Sequence, residues 1–122
     1  SYTVYGLAET DGPLTALRLE VLADPSLPAR GPGRADNGNF VLNELRLTYK
    51  PLDKPDANPT ALKLGAAGQL FAQDGFPAAN AVDGNPQTGW ATAPRFGQDN
   101  AALFKFDKPV GSAVGALFAA TL

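Results

Sequence analysis

The chain has 122 residues, a formal net charge of -2 and a pI near 4.9, which argues against a nucleic-acid binder, since that needs a basic face. It contains no Cys, no His and no Met, which excludes disulfides, thiolate metal sites, and the commonest general base and transition-metal ligand. Its apolar runs are too short and too interrupted to span a bilayer, while its length suits one domain with a core of its own.

Residues 2–7 are aromatic and β-branched and read as a strand, with a turn at 10–13. Residues 14–23 alternate, with Leu17, Leu19 and Val21 on one face and Arg18, Glu20 and Leu22 on the other. A long loop follows at 24–39, rich in Gly and Pro. Residues 40–49 form the clearest strand pattern, with Val41, Asn43, Leu45, Leu47 and Tyr49 on one face; apolar groups on both faces of its first half predict burial on both sides. Residues 51–59 read as a polar, proline-rich surface connection. Residues 61–73 read as one strand or two, with a bulge at Gly65 or Gly68, and 76–82 as a single helical turn. Residues 90–93 make a short extended piece, 101–106 a strand with Ala102, Phe104 and Phe106 on one face, and 114–122 a last strand. Thirteen Gly and eleven Pro, with no sustained 3.6-residue period, indicate short strands joined by turns. The expected fold is therefore all-β, a single antiparallel β-sandwich of jelly-roll type over residues 1–122. The start on Ser1 without an initiator Met suggests a piece excised from a larger chain.

The stretch with most chemistry is Asn80-Ala81-Val82-Asp83-Gly84-Asn85-Pro86-Gln87-Thr88-Gly89-Trp90. Asp83, Asn85 and Thr88 can curl their oxygens inward round a hard cation, with Gly84 and Pro86 supplying the bend. Calcium takes six to eight oxygens, so a distant acid must complete the shell; the competing reading is an Asx turn closed by its own hydrogen bonds. Trp90 is either a core residue beneath this loop or a stacking platform for a sugar ring, the core being the favoured place.

These eleven residues resemble the N-A-x-D-G-[ND]-x-x-T-x-W signature of the discoidin, or coagulation-factor C-domain, family of galactose-binding-like β-sandwiches, which includes many carbohydrate-binding modules. The resemblance implies a structural calcium held by Asn80, Asp83, Asn85, Thr88, Glu44 and Asn43, the carbonyls of Asn43, Asn80 and Asn85 serving beside the three other side chains. The Glu44 strand precedes the Asp83 loop here and usually follows it in the family, a departure that a circular permutation would explain. Leu-Arg-Leu-Glu-Val-Leu, Gly-Pro-Gly-Arg and Gly-Asn-Phe-Val-Leu-Asn-Glu-Leu further resemble a domain of large planctomycete proteins that also carry cytochrome-c-type modules. That implies an extracellular, periplasmic or cell-surface protein tethered to other domains.

With the cation loop structural, ligand binding falls to the other loops. Phe96 stands among Arg95, Gln98, Asp99 and Asn100, whose donors and acceptors suit sugar hydroxyls, and Arg34 lies in the rich loop Arg30-Gly31-Pro32-Gly33-Arg34-Ala35-Asp36-Asn37. The expected glycan site is thus Arg34, Arg95, Phe96 and Asp99, although the 30–39 segment also reads as an ordered crossing loop pinned by Asp and Arg hydrogen bonds. Phe76 and Tyr49 are further aromatic candidates. A glycosidase would need two placed carboxylates from Glu20, Asp36, Glu44, Asp83 and Asp99, but the cation accounts for Glu44 and Asp83, and no other pair has a motif. The expectation is a non-catalytic carbohydrate-binding module; the alternative is a structural or protein-interaction domain without a sugar site.

Overall fold

The computed structural model describes residues 1–9, 12–111 and 115–122. Thr10 and Asp11 of the expected first turn, and Val114 at the start of the expected last strand, lie outside these. Strands dominate the regular structure and form two antiparallel sheets, with no α-helix among the described residues. The strands are β1 (Thr3–Ala8), β2 (Leu14–Val21), β3 (Arg46–Pro51), β4 (Thr60–Leu62), β5 (Leu64–Gln69), β6 (Asn100–Val110) and β7 (Ala116–Thr121). One sheet runs β1-β7-β3-β4 and the other β2-β6-β5.

The alternation read from the sequence sets the second sheet. Leu17, Leu19 and Val21 of β2 turn toward the core, while Arg18 and Glu20 share the outer face, where Arg18 Nε lies 2.6 Å from Glu20 Oε1. An exposed ion pair of that kind adds little stability. In β6, Ala102 and Phe104 are buried while Leu103 and Lys105 face outward. The expected interruption of the 61–73 segment is present: β4 and β5 are separate, and β5 shifts register against β6 between Ala66 and Gly68. The helical turn expected at 76–82 is a 3-10 turn over Ala78–Val82.

The 40–49 strand requires correction. Only Arg46–Pro51 is strand; residues 40–45 pair instead with Trp90 and with the 3-10 turn. Leu42 exchanges two backbone bonds of 2.9 Å with Trp90, and Leu45 N–H donates to Ala81 O at 2.7 Å. Burial there is also one-sided at Val41, which is exposed, although Leu42 and Leu45 are buried and Phe40 is partly so.

The core cluster joins Leu42, Leu45, Ala78, Ala81, Trp90, Ala102 and Phe104, with Leu17, Leu19 and Val21 from one sheet and Ala120 from the other packed against it. Trp90 is fully buried, as its core reading expects; its ring meets Phe40 edge-on at 5.3 Å, and its Nε1–H donates to Phe71 O at 3.1 Å. Along the 24–39 loop, Gly33 N–H donates to Gly38 O at 2.8 Å, and a side chain at Gly33 would collide with the Asn39 carbonyl. Gly33→Ala is therefore expected to cost about 1–3 kcal/mol, because backbone must move to admit one methyl group. Chemical denaturation of the two proteins measures the difference.

Candidate functional site

The 80–88 loop leaves the 3-10 turn at Asp83 and bends at Gly84, whose φ of +78° suits glycine. Asp83 closes an Asx turn, its Oδ1 accepting from Asn85 N–H at 2.8 Å; Asn85 repeats the pattern, its Oδ1 accepting from Gln87 N–H at 3.0 Å. These turns gather oxygens round one hydroxyl. Thr88 Oγ1 lies 2.7 Å from Asp83 Oδ2, 2.9 Å from Asn85 O and 3.4 Å from Asn80 O. A hydroxyl has one proton, so it cannot serve three acceptors at once. The loop thus brings together four of the residues that the sequence singled out, three of them offering acceptor oxygens to the one Thr88 hydroxyl.

Asn43 and Glu44 stand beside this cluster. Asn43 Nδ2 donates to Thr88 O at 2.8 Å and to Pro86 O at 3.2 Å, and Leu45 N–H is bonded to Ala81 O. Glu44, between these two anchors, lines a hollow shared with Val82 and Gly84. Its Oε1 is buried with no hydrogen-bond donor among the described residues. A buried carboxylate oxygen without a donor is costly unless a cation meets it. Asp83, the Thr88 hydroxyl and the carbonyls of Asn80 and Asn85 are hard oxygens of the kind that calcium takes, and Glu44 would add a second carboxylate. No group of three or more His, Cys, Asp or Glu side chains that could hold a metal occurs among the described residues, and this set has only two acids. The side-chain role of Asn43, which staples the loop through its amide, escaped sequence reasoning; its place directly before Glu44 was the available signal.

The predicted glycan residues are arranged differently. The 24–39 and 94–100 loops do meet, through Gly97 N–H donating to Gly31 O at 2.6 Å. Arg95 is exposed, but its guanidinium lies 4.1 Å from the centre of the Phe71 ring. Phe96 is partly buried. Asp99 Oδ1 accepts from Ala23 N–H at 2.8 Å, so part of that carboxylate ties the loop to the end of β2. Arg34 is exposed. Phe71, the seat of Arg95, was not singled out from the sequence. The 30–39 segment is pinned by backbone bonds and by Asn37 Oδ1, which accepts from Asn39 N–H at 3.0 Å, in place of the expected Asp and Arg bonds. At the loop's start, the Ser26 hydroxyl and amide hold the Asp24 carboxyl below its usual pKa. Of the other acids considered for catalysis, Glu20 pairs with Arg18 and Asp36 is exposed.

Among the described residues no helix is long and apolar enough to cross a membrane. Comparison of the chain with known protein families, with characterised proteins and with solved structures finds no match.

Proposed function

We propose that this chain is a non-catalytic binding domain, a circularly permuted β-sandwich of the galactose-binding-like jelly-roll type, whose 80–88 loop and Glu44 hold one structural calcium ion. The observation that carries the calcium is the crowding of Asn80 O, Asp83 Oδ2 and Asn85 O about the single Thr88 hydroxyl, beside a Glu44 oxygen that lacks a donor. Asp83, Thr88 and Glu44 supply side-chain oxygens, and Asn43, Asn80 and Asn85 supply carbonyls. Bound there, the ion ties the segment before β3 to the loop that carries Trp90. With Glu44 and Asp83 committed to a cation, no carboxylate pair is left with a motif for glycoside hydrolysis.

For the role of the domain, carbohydrate recognition follows from the discoidin-like signature and is supported by the exposed Arg95, whose guanidinium lies over Phe71, and by the exposed Gln98. A structural or protein-interaction role has an observation of its own in its favour: Phe40, Phe76, Phe96 and Trp90 are all partly or fully buried, so none is a free stacking platform. Either role suits a tethered, exported domain of a larger protein. A glycan array followed by calorimetry separates the two. A sugar reading expects a hit with a dissociation constant of roughly micromolar to millimolar, and Arg95→Ala should weaken it about tenfold or more. Phe96→Ala should have the smaller effect, because its side chain is already partly buried. A hit indifferent to both variants places the site elsewhere, and an array without hits leaves the interaction role.

A further inference from the structure

β1 is an edge strand that presents apolar side chains on both faces: Tyr2, Val4, Tyr5 and Leu7 are 71%, 59%, 69% and 65% exposed. The first eight residues carry no charged side chain. Natural edges are guarded by shortness, charge or bulges. The other edges here obey this rule: β4 has three residues and is followed by Lys63, β2 carries Arg18 and Glu20, and β5 has a register shift. Only β1, among the described edges, is long, apolar and unguarded.

Its free hydrogen-bonding groups can be assigned. Tyr2 and Leu122 exchange N–H···O bonds of 2.9 and 2.8 Å, so they form a hydrogen-bonded pair. In the continuous antiparallel register with β7, the even positions of β1 therefore bond to β7, and Thr3, Tyr5 and Leu7 turn their N–H and C=O groups to the open side.

We propose that this edge pairs with β1 of a second copy of the chain, antiparallel, on a two-fold axis through Tyr5. That register exchanges backbone bonds between Tyr5 and Tyr5, and between Thr3 and Leu7, satisfying every outward group of the strand. It also sets Tyr2 opposite Ala8 and Val4 opposite Gly6, a large side chain against a small one each time, and brings no like charges together. The same patch thus complements itself, as a closed two-fold contact demands. The exposed surface is also large. A folded monomer of 12.7 kDa is expected to expose about 6,200 Å², and this chain exposes 7441 Å². The difference, roughly 1,200 Å², is spread over the whole chain, and the exposed Tyr2, Val4, Tyr5 and Leu7 along this edge are part of it. This inference is independent of both the calcium and the glycan readings, which concern the loops.

Sedimentation of the purified chain from about 1 µM to about 1 mM should show a species of twice the 12.7 kDa chain mass. Tyr5→Lys, at an exposed position, places two like charges across the axis; it should raise the dimer dissociation constant about tenfold or more while leaving the far-ultraviolet circular dichroism of the fold unchanged. Because the chain has no cysteine, single-cysteine variants test the register. Tyr5→Cys should oxidise to a covalent dimer, since a hydrogen-bonded pair has Cα atoms about 5.5 Å apart. Leu7→Cys should not, because its two copies would lie roughly 13 Å apart along the strands. A chain that stays monomeric throughout overturns the proposal. A dimer indifferent to Tyr5→Lys, or equal cross-linking of the two cysteine variants, overturns it as well.

Discussion

Removing calcium with excess chelator is expected to lower the melting temperature of the domain by roughly 10 °C, and Asp83→Ala to abolish that response. The magnitude follows from mass action. An ion that binds only the native state, at one hundred times its dissociation constant, adds about 2.7 kcal/mol, and in a domain of this size each kcal/mol moves the melting temperature by about 3–6 °C. Asp83→Ala also deletes the acceptor for Asn85 N–H and for the Thr88 hydroxyl, so its own baseline falls. Two milder variants separate the ion from the turn. Asp83→Asn keeps an oxygen for the Asn85 amide but loses the charge; Glu44→Gln keeps the shape of the buried side chain. Both should lose the chelator response with smaller baseline changes. Calorimetric melting with and without chelator decides it: an identical curve for the unmodified chain would sink the calcium reading and leave an Asx-turn loop closed by its own bonds.

The second large effect is expected at Trp90. Trp90→Ala should cost about 3–5 kcal/mol, a large part of the ~5–15 kcal/mol that holds a domain of this kind together. The side chain is fully buried, packs edge-on against Phe40 and satisfies the Phe71 carbonyl, while its backbone makes both bonds to Leu42. Its loss would open a cavity in the core cluster that Trp90 shares with Leu42, Leu45 and Phe104. Trp90→Phe keeps much of the apolar volume but strands the Phe71 carbonyl, so its cost should fall between that of alanine and zero. Denaturant midpoints for the three proteins give the order; a Trp90→Ala variant as stable as the parent would show that the core does not depend on this ring.

What the sequence made legible was what local pattern controls. Alternation in 14–21 and 101–106 placed β2 and the middle of β6, because a strand with one buried face must repeat every two residues. Glycine marked the irregularity at Gly68, and the oxygen-rich 80–88 loop announced its own turns. Residues 40–45 misled for a definite reason. They have the alternation of a strand, yet their hydrogen-bonding partners, Trp90 and Ala81, lie some forty residues ahead and outside the strands, and nothing local encodes that pairing. The same holds for Arg95, whose seat on Phe71 is set by two loops meeting, and for Asp99, which serves the end of β2. Sequence reasoning saw polar and aromatic neighbours and read a ligand surface; packing gives part of that chemistry to the protein itself.

The pairing of β1 with β7 also bears on how the fold answers force. Tyr2 and Leu122 are hydrogen-bonded to each other, so the two ends of the chain emerge side by side at one end of an antiparallel pair. Tension applied across the ends pulls β1 and β7 apart perpendicular to their length and loads the bonds singly, starting at Tyr2–Leu122 and moving inward toward Ala8–Ala116. Strands that yield in this unzipping order part under a weak pull, whereas strands dragged lengthwise past one another must break their bonds together. Under load this sheet therefore opens first at its outermost strand, while the Trp90 core and the 80–88 loop, which lie off the line of force, are still intact.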